Sequence, residues 1–298
     1  MQAGRMAKQV RPPGRTKRVA AVMDCATAFQ AMARDCLARL HAHCPGTIAG
    51  DAEALHQMRV AISRLRAAVA FFAPMTSDAT WPKLKTELAW LYAMLGDARD
   101  ADVMAALVQR KRYRKWAAGV ATNDDNNHGR LHRRVVAGLR SNRFRRLMEA
   151  LLRWVERGPW LTRRDGGAQR RRAGSLRSYC QRKLEQWRAR LIRKGHRLAA
   201  MGGKRRHRLR LKVKRYRYAL EALGDICPPA VRAKLRHRHK SAKGLQRALG
   251  DLRDLQRLRR VGASSRKPPC YAKQKKQLLA AARAAWRDLK PPLLLPRF

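Results

Sequence analysis

The chain is short of acidic residues. Its 298 residues include only 20 Asp and Glu against 70 Lys and Arg, which gives a formal net charge of +50. Such an excess of one sign opposes the compact state by self-repulsion and attracts polyanions, so nucleic acid, anionic membrane and polymeric phosphate are the candidate partners. The hydrophobic content of 45% still fits a folded protein, and the length suits one large domain or two ordinary ones.

Further absences narrow the class of protein. No apolar run approaches the length of a membrane span, and the basic N-terminus has no apolar segment behind it that would form a signal peptide. The six cysteines include no C-x-x-C pair, which argues against a zinc ribbon or a disulfide framework and favours a reducing cytosol. We therefore expect a cytoplasmic protein that needs no metal and no cofactor.

Period-2 strand patterns are also missing, and helical apolar spacing takes their place. The spacing predicts an all-α fold of about ten helices. Residues 1–18 are basic and contain Pro12, so we expect a disordered arm before a helical domain over 19–290 and a tail over 291–298. Glycine-rich breaks after residue 157 divide the domain into halves over about 19–157 and 168–290.

Two segments with the same pattern organise these halves. The first begins at His56 and the second at His207, and in both a basic residue follows at three and at ten positions on. Positions 0, +3, +7 and +10 of a helix lie within roughly 80° of one another. Each segment is therefore predicted to be a helix that packs by its apolar face and carries a polar stripe on the other. The stripes are His56, Arg59, Ser63 and Arg66 in the first copy and His207, Arg210, Lys214 and Arg217 in the second.

A second repeated block follows each His helix. A Leu-Gly-Asp-x-Arg-Asp sequence has its glycine at Gly96, 40 residues after His56 (96 − 56), and at Gly250, 43 residues after His207 (250 − 207). Two blocks that recur in the same order predict internal duplication, with two similar helical bundles related by a pseudo-two-fold axis. We expect both glycines to interrupt helices.

The stripes carry the chemistry of anion binding. Arg can hold a phosphate bidentately, Lys acts as a point charge, and a polyanion favours the protonated form of His. A Lys/Arg stripe on a single helix is usually just a solvated face, but two matching copies with almost no acid favour a binding track. The predicted binding residues, which include Arg64 and Arg215 at the edges of the stripes, are His56, Arg59, Arg64, Arg66, His207, Arg210, Lys214, Arg215, Arg217 and Tyr218.

The aspartates of the repeated blocks permit a different hypothesis. Asp97, Asp100, Asp251 and Asp254 are the residue type that holds Mg²⁺ in phosphohydrolases. An Asp that follows Gly at a helix start more often caps the helix, and Asp100 and Asp254 could instead brace arginines of the His helices. We expect no catalytic residue here.

At these blocks the sequence resembles the conserved histidine α-helical domain (CHAD) family. The stretches "LHQMRVAISRLRAAVAFF" (55–72) and "HRLRLKVKRYRYALEAL" (207–223) are similar to its two signature helices, and "LGDARDADV" (95–103) and "LGDLRD" (249–254) to the elements that follow them. The stretch "LRSNRFRRLMEALLRWV" (139–155) is similar to the segment between. The resemblance covers roughly residues 20–290.

The resemblance implies two helical bundles around a pseudo-two-fold axis, with a basic central face or channel. It also implies binding of inorganic polyphosphate, in some members at polyphosphate granules. Some relatives are fused to a triphosphate-hydrolysing domain with a Glu-x-Glu-x-Lys signature, which this sequence lacks. Ser63 departs from the family, which usually has Arg at that position, so we expect weaker anion binding there in the first half.

Two other functions remain open from the sequence. A general nucleic-acid-binding protein would share the charge, although no recognised motif and few aromatic stacking residues are present. A metal-dependent phosphohydrolase would use the Asp pairs. We expect non-enzymatic polyphosphate binding, with nucleic acid as a non-specific partner, and the sequence does not indicate the oligomeric state.

Overall fold

The structure, a computed structural model, describes residues 23–111, 113, 125–227, 229–261 and 270–295. The predicted arm over 1–18 lies outside the described residues. Within them the chain is helical, and the only strand-like feature is one isolated bridge between Asp24 and Ser175. The α-helices in chain order are α1 (Cys25–Ala42), α2 (Cys44–Ile48), α3 (Ala52–Thr76), α4 (Trp81–Val108), α5 (Asp125–Arg140), α6 (Asn142–Arg157), α7 (Gly166–Arg172), α8 (Leu176–Gly195), α9 (Gly203–Ile226), α10 (Pro229–Val261) and α11 (Tyr271–Arg287). The predicted all-α fold is confirmed.

The two His helices, α3 and α9, lie against each other at the centre of the protein. Helix α3 begins at Ala52, because the Asp51 side chain accepts a hydrogen bond from the Glu53 backbone N–H at 2.7 Å, which satisfies one of the free donors of the first turn. The apolar side of each helix is buried, as its spacing predicts. These buried side chains include Met58, Leu65 and Phe72 of α3 and Leu209, Tyr216 and Leu223 of α9.

The halves share one hydrophobic core. Helix α1 packs on α3, α8 and α10 pack on α9, and α4 and α11 pack on α3 and α10 respectively. Phe72 of the first half stacks on Tyr179 of the second, with ring centroids 5.5 Å apart. The partner helices follow a similar order in each half, which fits the expected pseudo-two-fold arrangement, whereas the duplication itself stays a prediction.

Two sequence expectations about breaks are wrong. Gly96 and Gly250 do not interrupt helices: α4 and α10 run continuously through them. Asp97 and Asp251 therefore lie inside helices and cap nothing. The stretch 122–129, whose Asn, Asp and Gly residues predict a loop, is helical from Asp125 onward, as far as it is described.

The predicted tail over 291–298 is described as far as Leu295, and there it is packed. Leu293 and Leu295 are buried, and the backbone N–H of Leu295 donates to the Gln181 side chain of α8 at 2.8 Å. This segment therefore belongs to the folded domain. None of the helices in the described ranges is long and apolar enough to cross a membrane.

Candidate cationic binding site

The two His helices touch through equivalent positions. Lys214 Nζ on α9 donates to Ser63 Oγ on α3 at 2.8 Å and to the phenol oxygen of Tyr92 on α4 at 3.1 Å. Ser63 is only 9% exposed. The Ser63 hydroxyl is therefore a buried partner of Lys214, and the weaker anion binding expected at this position stays a prediction.

Several cations of the two His helices contact the ring of Tyr92. The guanidinium carbons of Arg59 and Arg66 lie 4.6 and 5.5 Å from its ring centroid, and Lys214 Nζ lies at 5.5 Å. These distances are in the range of cation–π contacts. Arg210 is close enough to Lys214 to act on its charge. We call Arg59, Arg66, Tyr92, Arg210 and Lys214 the central cluster.

Charge in the central cluster changes how Tyr92 and Lys214 titrate. Burial pushes the pKa of Tyr92 upward, but the charges of Lys214 and Arg59 outweigh it and lower the pKa to about 7. Burial lowers the pKa of Lys214, and the neighbouring arginines act in the same direction, against the effect of Tyr92. The protein thus holds several cations together where water screens them poorly.

The repeated glycines make room for the arginines of the His helices. A Cβ added at Gly96 would meet Arg59 Nη1 at 2.7 Å, and one added at Gly250 would meet Arg210 Nε at 3.4 Å. Both of these arginine nitrogens are buried without a hydrogen-bond partner. Glycine therefore serves close approach in the helix interior, and it allows each arginine to lie flat across the neighbouring helix.

The two signature histidines lie beside other cations. His56 is half-buried and His207 is exposed. Burial lowers the pKa of His56, and Arg99 lowers it further; burial and then Arg253 lower the pKa of His207. Both imidazoles are therefore held toward the neutral form in the free protein, and a bound polyanion would favour their protonation.

Asp100 and Asp254 occupy equivalent places but differ in their partners. Asp100 accepts a hydrogen bond from Arg257 of α10, and Arg253 lies 3.6 Å away. Burial pushes the pKa of Asp100 upward, but these arginines outweigh it and lower the pKa, whereas burial raises the pKa of Asp254. Asp100 therefore braces arginines of α10 in the opposite half, whereas the sequence predicts that it could brace arginines of the His helices.

Two of the predicted residues, Arg64 and Arg215, do not join the central cluster. Arg64 forms an ion pair with Glu221, which also lies 3.5 Å from Arg217. Arg215 is exposed and close to Lys212, on a different side of α9 from Lys214.

The remaining predicted members, Arg217 and Tyr218, lie at the edge of the cluster. The Arg217 guanidinium is 4.2 Å from the Tyr218 ring centroid, and its Nε donates to Gln246 at 2.9 Å. Tyr218 is 3% exposed, and Lys214 Nζ lies 5.6 Å from its ring. Tyr218 therefore contacts cations through its ring face.

Sequence reasoning missed Tyr92, Arg99, Arg253 and Arg257. A signal existed for three of them. Tyr92 lies one helical turn (four residues) before Gly96, so it shares the face that receives Arg59. Arg99 and Arg253 are the arginines of the repeated block itself. For Arg257 the sequence offers no such pattern, since its equivalent in the first half is Val103 (257 − 154).

Comparison with known proteins identifies a family and a similar solved structure. The family model of the CHAD domain matches residues 31–262. Among solved structures, the chain is similar to the crystal structure of the CHAD domain from the plant Ricinus communis, with a TM-score of 0.74 and 24% identity over 96% of this chain and 99% of that chain. No curated protein sequence matches significantly. At that identity, the likeness to the plant structure concerns the fold.

Proposed function

The chain belongs to the CHAD domain family, and from that premise we propose that it binds inorganic polyphosphate through the central cluster without hydrolysing it. In the cell we expect it in the cytoplasm, at polyphosphate granules where these form. The proposal requires a site where several cations lie close together and can bind an anion.

The observation that carries the proposal is the lack of carboxylate partners in the central cluster. Among the described residues, no carboxylate lies within ion-pair distance of Arg59, Arg66, Arg210 or Lys214, although other arginines of the protein do have such partners. Unpaired, partly buried cations are costly, and a polyanion that neutralises them recovers that cost. Charge-assisted hydrogen bonds to phosphate oxygens contribute about 1.5–3 kcal/mol each.

The cluster fits a ligand that has phosphates and no bases. The Tyr92 ring is faced by cations and Tyr218 is buried, so neither offers a free surface on which a nucleobase could stack. The cations come from α3 and α9 at the junction of the halves, which suits a flexible phosphate chain that runs across it. Nucleic acid would bind by charge alone.

Two of the four aspartates, Asp97 and Asp100, lie beside arginines, which supports binding without hydrolysis. Asp100 is held by Arg257, and Asp97 lies 3.8 Å from Arg134. Within the described ranges, no group of three or more His, Cys, Asp or Glu side chains could hold a metal ion. A hydrolase that uses the Asp pairs would need these carboxylates free to bind Mg²⁺.

A competition experiment tests the proposal. Labelled long polyphosphate is bound to the full chain at about physiological salt and displaced with DNA or RNA of equal phosphate concentration, since salt controls the non-specific term. We expect polyphosphate to be retained in preference. Equal displacement by nucleic acid would overturn the specific proposal. The same polymer, incubated with Mg²⁺ or Mn²⁺ and run on a gel, should keep its length, and phosphate release that Asp100→Asn abolishes would contradict the non-enzymatic part.

A further inference from the structure

Tyr92 contacts cations from both His helices, and its phenol oxygen faces Lys214. Lys214 Nζ donates to it at 3.1 Å, and Ser63 contributes a second hydrogen bond. Arg59 and Arg66 lie against its ring. No described carboxylate lies within ion-pair distance of Arg59, Arg66 or Lys214. Among the described residues, the Tyr92 phenol is the acidic group that contacts all three.

We propose that Tyr92 is an internal anion of the central cluster, a phenolate that holds the cations together in the free protein and takes up a proton when polyphosphate binds. Only the uptake of a proton on polyphosphate binding rests on the proposed function, since the phenolate of the free protein does not depend on any ligand. Tyr92 is thus a positioning residue that makes polyanion binding sensitive to pH.

The hydrogen-bond network supports an anionic phenol. Lys214 donates to both Ser63 and Tyr92, so the Ser63 hydroxyl accepts from Lys214 and has its own proton left for the phenol oxygen. An oxygen that accepts two hydrogen bonds and lies beside three cations is stabilised as an anion. The pKa of Tyr92, lowered to about 7, agrees with this geometry.

The other titratable groups near Tyr92 do not reproduce its behaviour. From α9, Tyr218 also approaches Lys214, but burial raises its pKa, so it stays neutral. His56 of α3 titrates on the acid side, because burial lowers its pKa. Lys214 is coupled to Tyr92 through their hydrogen bond, so the two titrate as a pair. Among these groups, the Tyr92 phenol is the one whose titration near neutral pH can be followed by spectroscopy.

The sign of the pH effect follows from linkage. Phosphate oxygens beside Tyr92 would repel a phenolate, so the complex favours the neutral phenol, which can donate its proton to a phosphate oxygen. The bound state then holds more protons than the free state above pH 7, and binding weakens as pH rises. One such group gives roughly a tenfold loss of affinity between about pH 7 and pH 8.5.

The test begins with the free protein. Near-ultraviolet absorbance should show one phenolate forming near neutral pH in the unmodified chain and in Tyr218→Phe, and none in Tyr92→Phe. Ser63→Ala, which removes one hydrogen bond to the phenol, should shift the same titration to higher pH. This variant tests the inference if Tyr92→Phe does not fold. If no phenolate forms near neutral pH, the inference is overturned whether or not polyphosphate binds.

The second step adds long-chain polyphosphate at about pH 8. We expect the phenolate absorbance to fall, with uptake of up to one proton, and the affinity loss between about pH 7 and pH 8.5 to disappear in Tyr92→Phe. If the phenolate is present but polyphosphate does not bind, the proposed function fails while the internal anion stands. If polyphosphate binds without lowering the phenolate absorbance, and the affinity of the unmodified chain and of Tyr92→Phe has the same pH profile, the proposed proton uptake is overturned.

Discussion

The two His helices carry the same pattern but contribute differently to the central cluster. At one stripe position the second half supplies Lys214, where the first half has the buried Ser63. One turn before the repeated glycine, the first half supplies Tyr92 and the second supplies Gln246, the residue that accepts from Arg217. Each half therefore provides what the other lacks. The differences produce one shared site at the junction.

The outer parts of the two stripes differ as well. Arg64 is tied to Glu221, whereas Arg215 at the equivalent position is exposed. Asp100 is braced by two arginines, whereas burial raises the pKa of Asp254 and no ion-pair partner is seen for it among the described residues. Away from the junction, charge is thus neutralised in some places and exposed in others. The comparison shows that equivalence in sequence does not give equivalence in binding, which the following variants can test.

The largest effect is expected from the arginines that both halves share. Arg59→Ala with Arg210→Ala removes one unpaired cation from each side of the cluster, and we expect polyphosphate affinity to fall by about 3–6 kcal/mol, from two charge-assisted contacts of about 1.5–3 kcal/mol each. Affinity at fixed salt is the measurement. Arg153→Ala with Arg236→Ala, both exposed elsewhere, removes the same charge as a control. Equal losses from the two pairs would show that only bulk charge matters.

That prediction rests on residues that the sequence alone singled out, so the sequence was informative here. The helical period found the His helices and their buried faces, because spacing within one helix decides which side packs. The repeated blocks also pointed to the family, which is confirmed. Arg59 and Arg210 stood out because their positions repeat.

What the sequence did not show depends on neighbours in space. Gly96 suggested a helix break, since glycine is unfavourable inside a helix, and only the Arg59 side chain lying across it explains its place. Tyr92 joins the cluster from a third helix, and no spacing within α4 reveals the cations above its ring. A helical wheel places Ser63 on the polar stripe, and it cannot show that two helices cross at this position.

The second comparison exchanges the residues that meet at the crossing. Ser63→Arg would bury a guanidinium against Lys214, and we expect the free energy of unfolding to fall by roughly 3 kcal/mol, the order for an uncompensated buried charge. Lys214→Ser should keep the fold and weaken polyphosphate binding by about 1.5–3 kcal/mol, the contribution of one contact. Chemical denaturation and binding are measured on both, with Ser63→Ala as the control for loss of the hydroxyl alone. A stable Ser63→Arg protein that binds more tightly would show instead that this stripe position is open to the bound anion.

The smallest expected effect separates the two glycines. Alanine at either position should favour the helix by up to about 1 kcal/mol, so neither variant is expected to unfold the protein. At Gly96 the new Cβ would lie 2.7 Å from Arg59 Nη1, so the guanidinium must move away from the cluster, which its flexible side chain allows. At Gly250 the distance to Arg210 Nε is 3.4 Å, an ordinary contact that leaves Arg210 in place.

We therefore expect Gly96→Ala to weaken polyphosphate binding by about 0.5–1 kcal/mol, part of one charge-assisted contact, and Gly250→Ala to leave it unchanged. Thermal unfolding beside a binding titration checks both, and equal losses of affinity would mean that the halves contribute their arginines in the same way.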